Sequence, residues 1–153
     1  MAENAAVTDE MKKWIGKESE ATVIPIEKFM VLKFALATDD NNPLWQNEEY
    51  AKKSKHGGIM FPPNMLCCSM ISGGANRPMP PHNYNNGRLD GGAVWDFYKP
   101  IMVGDTITNM AKLVDIKSRE GKMGTMLFFV WEISHTNQKG ELVAKTTSTG
   151  ICY

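Results

Sequence analysis

The chain has 153 residues, a length that suits one domain rather than two. Hydrophobic residues make up 42% of it, which is ordinary for a globular protein with an adequate core. Lys plus Arg equals Asp plus Glu at 17 each, which excludes a broad positive field directed at nucleic acid.

Targeting segments and metal-binding patterns are absent from the sequence. No N-terminal stretch resembles a signal peptide and no run is long enough to span a bilayer, so we expect a cytoplasmic protein. Cys67, Cys68 and Cys152 lack the spacing of a zinc site, and no metal is expected. We expect these three cysteines to be buried free thiols.

The first part of the chain predicts short helices and one strand. Thr8 is placed to cap a helix over residues 8–15, and residues 21–24 predict a strand that ends at Pro25. A longer helix is predicted over residues 26–37. Its apolar residues form two adjacent rows, which predicts a well-packed helix; the rows are Phe29, Leu32 and Leu36, and Met30, Phe34 and Ala37.

Two helix starts follow a break at residues 39–43. Asn42 is a natural N-cap and Pro43 a natural first helical residue. Asn47 is placed to begin a second short helix over residues 48–54. His56-Gly57-Gly58 comes directly after it.

Residues 62–72 predict a helix that is enclosed by other structure. Pro62 and Pro63 open the segment, and Gly73-Gly74 closes it. The residues between are apolar on nearly every side, and a helix without a polar face is normally enclosed by other structure. A loop of Gly, Pro and Asn extends from there to Arg88.

The second half changes to a periodicity of two, which indicates strands. Strands are predicted over residues 89–98, 106–117, 125–135 and 141–152, with turns at Glu120-Gly121 and at residues 137–140. His82 and His135 are expected to be solvated. A buried helix followed by an antiparallel meander predicts an α+β fold with a sheet wrapped around that helix.

Three sequence blocks resemble the MaoC-like hydratase/dehydratase family, in particular its N-terminal, fatty-acid-synthase-type dehydratase branch. The first is DNNPLW at residues 40–45, against the family pattern G-D-x-N-P-L-H. The second is HGGI at residues 56–59, running into Pro62-Pro63. The third is YKPIMVGDT at residues 98–106, which matches an aromatic-x-Pro-x-x-x-Gly-Asp turn. Their order and spacing cover the chain from about Trp14 onwards.

The resemblance implies a single hotdog domain over residues 1–153, with residues 1–13 as an N-terminal extension. A long central helix would be wrapped by a curved antiparallel β-sheet. It also implies pairing with itself or with a homologous MaoC-like chain, through the region around residues 89–98. The implied substrate is an acyl thioester carried by coenzyme A or acyl carrier protein, with no other cofactor.

The chemistry of such enzymes needs a base that takes a proton from water. In catalytic members an Asp and a His hold and activate that water, and here Asp40 matches the Asp. The His position is Trp45, and an indole only donates a hydrogen bond and does not titrate near neutrality. The Gly before the Asp is Asp39. By resemblance, Asn42, Trp45, Gly57, Gly58 and Ile59 line the substrate site.

The leading hypothesis is therefore a non-catalytic or substrate-tunnel subunit of an enoyl-thioester hydratase or 3-hydroxyacyl dehydratase, a hydro-lyase of lipid metabolism. A second is a self-sufficient R-specific hydratase that uses Asp40 with His56. A third is a hotdog thioesterase, which the D-x-N-P block disfavours. The fourth, from another class, is an acyl-thioester binding module without chemistry.

Overall fold

A computed structural model describes residues 6–68, 76–122 and 124–153. The strands are β1 (Thr22–Pro25), β2 (Arg88–Phe97), β3 (Thr106–Gly121), β4 (Gly124–Thr136) and β5 (Leu142–Cys152). They form one antiparallel sheet in the order β1-β3-β4-β5-β2. The helices are α1 (Asp9–Lys12), α2 (Lys28–Ala37), α3 (Pro43–Gln46) and α4 (Glu48–Lys53), followed by a 3₁₀ helix, Pro63–Cys67. The α+β prediction is confirmed.

Three predicted caps begin three of the helices. The Thr8 hydroxyl accepts the Met11 N–H at 3.2 Å, and the Asn42 side chain accepts the Leu44 N–H at 3.0 Å. Asn47 does the same for the Tyr50 N–H at 3.0 Å. A side-chain oxygen at this position satisfies an N–H that the helix itself leaves unpaired.

No helix in the described ranges is long and apolar enough to cross a membrane.

The packing predicted for α2 is right in part, because Met30 and Phe34 of the second predicted row pack against the core. The buried residues of α2 are Val31 and Ala35, which belonged to neither predicted row. Phe29 and Leu36 are 68% and 67% exposed. Apart from Lys28 and Lys33, the residues of α2 are apolar on nearly every side and give no single stripe. The orientation of α2 is therefore set by the elements that it packs against.

The enclosed helix predicted over residues 62–72 is not what its described part shows. Residues 63–67 form the 3₁₀ helix, in which Met65 and Leu66 are buried while Asn64 and Cys67 are exposed. Side chains three positions apart lie on one side of a 3₁₀ helix, so Asn64 and Cys67 share the outward side. Residues 69–72 of that prediction lie outside the described residues.

The prediction that the cysteines are free thiols is confirmed, but the prediction that all three are buried is wrong. All three cysteines are free thiols. Cys152 is buried in the core, Cys68 is half-buried and Cys67 is exposed. The apolar sequence around Cys67 does not reveal that its side of the 3₁₀ helix is the outer one.

The strands follow the predicted periodicity but β3 is longer than expected. It pairs with β4 as far as Gly121 opposite Gly124, whereas the turn was predicted at Glu120-Gly121. The second turn lies where it was predicted, with the Gly140 N–H donating to the Asn137 carbonyl at 2.9 Å. Gly140 has a φ of +75°, a conformation that favours glycine.

One face of the sheet carries the core. Leu127, Phe129, Trp131 and Ile133 of β4 are buried on that face, as their spacing predicts. A first core cluster, which includes Val31, Ile59, Phe61 and Leu66, lies between the helices and the sheet. A second core cluster joins Met11 to Leu127, Phe129, Trp131 and Cys152.

Candidate functional site

The loop between α2 and α3 holds Asp40. Its N–H donates to the Ala35 carbonyl at 2.9 Å, and its carboxylate accepts the Asn42 N–H at 3.1 Å. The Gln46 side chain donates to the Asp40 carbonyl. One carboxylate oxygen is thus engaged in the turn that leads to the Asn42 cap. Asp40 is half-buried.

Asp39 explains why the family pattern has glycine at this position. It is the one non-glycine residue in the described ranges with a positive φ, +52°. Asp tolerates this left-handed conformation better than most side chains, because its short polar group can hydrogen-bond locally. The replacement of Gly by Asp is therefore compatible with the same turn.

Trp45 lies in α3, which follows this loop. It is half-buried and packs against the first core cluster. Its indole Nε1 is buried and has no hydrogen-bond partner among the described residues. A buried donor without a partner is costly, which makes this N–H a candidate contact for an oxygen atom.

The three blocks of the family resemblance meet in space. The Met60 N–H donates to the Leu44 carbonyl at 3.1 Å, which joins the second block to the first. The Val103 N–H donates to the Ile59 carbonyl at 2.9 Å, which joins the third block to the second. Asp105 accepts the Met102 N–H at 2.8 Å and organises the third block. Residues far apart in the sequence therefore build one region.

The second block is held closely against the third. Ile59 is buried in the first core cluster, and a Cβ on Gly58 would lie 3.7 Å from the Met102 methyl group. Gly57 has a φ of +72°, which favours glycine. His56 is half-buried, and its backbone N–H donates to the Ser54 hydroxyl at 3.2 Å. No recorded contact in the described ranges joins its ring to Asp40.

Sequence reasoning missed a buried histidine. His135 was expected to be solvated, but it is fully buried on the core face of β4. Its Nδ1 lies 2.6 Å from the Asn109 Oδ1 and its Nε2 lies 2.8 Å from the Thr146 hydroxyl. Trp95 stacks on the ring. Burial lowers the pKa of His135 from 6.5 to about 4, so the imidazole is neutral at physiological pH.

Two of the cavities in the described part of the chain are relevant to a ligand site. One of about 270 Å³ lies against the second and third blocks, between Phe61 and the segment 97–101 at the end of β2 and directly after it. The larger one, about 580 Å³, lies on the core face of the sheet beside β2 and β5. No residue of the three blocks is among its described lining residues.

The larger cavity, hereafter the arginine cavity, has an unusual polar wall. The Arg77 guanidinium lies 5.4 Å from the Trp131 ring centre, and the Trp131 Nε1–H donates to the Pro78 carbonyl at 2.7 Å. Burial lowers the pKa of Arg77, and nearby Asp90 opposes that shift. The Arg77 Nε and the Ser148 hydroxyl are buried without a hydrogen-bond partner among the described residues. No residue group in those ranges could hold a metal ion.

One family model and several known proteins are similar to this chain. The family model described as "FAS1-like, dehydratase domain region" matches residues 13–146. A UPF0336 protein from Parafrankia sp. (strain EAN1pec) is 28% identical over 120 residues, 76% of each chain.

Two solved structures extend the comparison. The (R)-hydratase from A. caviae involved in PHA biosynthesis has a TM-score of 0.68 at 18% identity, over 89% of this chain and 94% of that one. The C-terminally truncated HadBC (3R-hydroxyacyl-ACP dehydratase) complex from Mycobacterium tuberculosis has a TM-score of 0.71 at 18% identity, over 90% and 96%. These similarities confirm the hotdog fold expected for this chain.

Proposed function

Because the chain belongs to the family of the FAS1-like dehydratase domain region, we propose that it is one subunit of an enoyl-thioester hydratase or 3-hydroxyacyl dehydratase. It is the half without a complete catalytic pair, and it shapes the acyl site beside a catalytic MaoC-like partner. The acyl group is carried by coenzyme A or acyl carrier protein, and the complex works in cytoplasmic lipid metabolism.

The observation that carries this proposal is the indole at position 45. Addition of water to a double bond conjugated to a thioester needs a base near neutrality, and an indole offers only a donor. Trp45 packs against the first core cluster, and the Asp40 carboxylate is engaged by the Asn42 N–H. Both contacts support a structural role for this loop, which leaves the proton transfer to another chain.

The exposed edge of the sheet supports the need for a partner. Among the described strands, β2 pairs with β5 alone, and its Val94 is 62% exposed. Leu89 and Phe97 of the same strand are also exposed. An open apolar strand edge tends to pair with another chain. We therefore propose that a homologous subunit, or a second copy, covers β2.

Hydration of crotonyl-coenzyme A tests the proposal directly. The rate is measured for the pure chain, for a co-encoded MaoC-like chain, and for the two mixed. A missing general base typically costs about a hundredfold to ten-thousandfold in rate, so the pure chain is expected to be almost inactive and the mixture active.

Two results would contradict this function. Full turnover by the pure chain would show that it carries its own active site, with His56 as the first candidate for the base. A stable but inactive complex would favour an acyl-thioester binding module without chemistry.

A further inference from the structure

The arginine cavity contains a cation that has no direct ion-pair partner among the described residues. Arg77 is half-buried, and the guanidinium group remains charged in proteins. No carboxylate oxygen among the described residues forms an ion pair with it within 4.0 Å. Its Nε–H is buried and has no hydrogen-bond partner in the part of the chain that the structure describes. Contact with the face of the Trp131 ring offsets part of the hydration that Arg77 loses. It does not provide an acceptor atom for the Nε–H.

Ser148 provides a second unsatisfied group in the same cavity. It lies on β5, is only 4% exposed, and lines the cavity together with Arg77. Its hydroxyl also has no hydrogen-bond partner among the described residues. Buried polar groups in folded proteins are normally paired, so two such groups in one cavity indicate a site that a ligand completes. Both can donate, and so the missing group is an acceptor.

The charges and apolar surfaces of the lining define that ligand further. Arg77, Arg88 and Asp90 line the cavity, which gives two positive charges against one negative charge. The Asp90 carboxylate accepts the Gly92 N–H at 2.9 Å. Trp95 and Ile151 supply apolar surface. The volume of about 580 Å³ lies within the range of small-molecule sites, roughly 300 to 1,000 Å³.

We propose that the arginine cavity binds an apolar monocarboxylate, with the carboxylate accepting hydrogen bonds from the Arg77 guanidinium and the Ser148 hydroxyl. The hydrocarbon part lies against the indole rings of Trp95 and Trp131. A carboxylate fits because a planar guanidinium and two carboxylate oxygens have matching geometry. This site goes beyond the proposed hydratase role, since no residue of the three blocks is among its described lining residues.

The test compares octanoate with octanamide, a neutral molecule of nearly the same shape. Both are titrated into the full chain while intrinsic tryptophan fluorescence and the arginine Nε–H signals in ¹⁵N-resolved NMR spectra are recorded. The sequence has three arginines, Arg77, Arg88 and Arg119, so spectra of Arg77→Gln and Arg119→Gln assign them. A hydrogen bond to a charged group supports a preference for octanoate of about tenfold or more.

The expected result is that octanoate binds more tightly and moves the Arg77 Nε–H signal. The preference disappears in Arg77→Gln and survives in Arg119→Gln, the matched control, because Arg119 is exposed and is not part of the described cavity lining. Ser148→Ala weakens octanoate several-fold and provides a second variant if Arg77→Gln does not fold.

Three outcomes would overturn the proposal: no binding of octanoate, equal affinity for octanoate and octanamide, or a preference that survives in Arg77→Gln. These measurements use the chain without its partner and involve no turnover. Their failure is therefore distinguishable from failure of the hydratase role.

Discussion

Asp40 makes a contact that an amide can also make. Its carboxylate oxygen accepts the Asn42 N–H, and the oxygen of an asparagine side chain can accept the same hydrogen bond. If the chemistry belongs to the partner, Asp40→Asn is expected to change hydration by the assembled complex only slightly. Loss of a positioned general base would instead lower the rate about a hundredfold to ten-thousandfold. The measurement is kcat/KM of the complex for crotonyl-coenzyme A.

Asp39→Asn is the matched control, since it makes the same chemical change one residue earlier, at a position outside the Asp/His pair. His56→Ala is the companion variant and is also expected to be mild, because no recorded contact joins its ring to Asp40 in the described ranges. A severe loss from Asp40→Asn or His56→Ala, in protein that still pairs, would mean that this chain holds an active site.

His135 makes stability depend on pH. The unfolded chain binds a proton near pH 6.5, whereas the buried imidazole binds one only near pH 4. Its contribution is therefore fully present above about pH 6.5 and shrinks as the pH falls towards 4. Between about pH 7.5 and about pH 5 the loss amounts to about 2 kcal/mol for a pKa lowered from 6.5 to about 4.

Urea unfolding of the wild-type chain, His135→Gln and His56→Gln at both pH values measures this effect. The wild type and His56→Gln are expected to lose the stated free energy of unfolding, and His135→Gln is expected to lose clearly less. An unchanged pH dependence in His135→Gln would show that other groups are responsible.

At the scale of elements, β2 is the described strand whose residues are most exposed. Val94 lies on the face opposite Trp95 and is 62% exposed. Met110 of β3 is an exposed apolar residue on an interior strand, since β3 pairs with β1 and β4. Both side chains are apolar and exposed, and of the two only Val94 lies on a strand at the edge of the sheet.

Val94→Lys is expected to weaken pairing of the chain with itself or its partner by about tenfold or more, because a lysine on an edge strand opposes edge-to-edge association. Met110→Lys should leave pairing unchanged. Sedimentation of both variants and the wild type over a range of concentrations measures the association. A wild-type chain that stays monomeric at micromolar concentration, alone and with the partner, would contradict this interface.

The elements also show which local signals suffice for prediction. Asn42, Asn47 and Thr8 cap helices as predicted, because a cap depends on a side chain and the N–H two or three residues later. The orientation of α2 was not predictable in this way. Its apolar residues lie on nearly every side, so its sequence does not tell which of Val31 and Phe29 faces inwards, and the packing decides that it is Val31.

On the scale of the whole molecule, the family blocks are brought together by long-range hydrogen bonds. Met60 to Leu44 and Val103 to Ile59 connect segments that are far apart in the chain. The resemblance identified the blocks in the sequence, and the structure gives the reason for their spacing.

The sequence by itself determined the strands and the caps, because each of these depends on residue type and local spacing. Its resemblance to the family pattern identified Trp45 at the position of the imidazole. The sequence also contained an unused signal: His135 continues the alternation of Leu127, Phe129, Trp131 and Ile133, and that parity indicates burial. Only the tertiary structure decided that Asn109 and Thr146 would satisfy this histidine. The same holds for the arginine cavity, where Pro78 meets Trp131 across 53 positions of the chain. Burial and pairing of polar groups depend on which distant segments meet, and local periodicity carries no information about that.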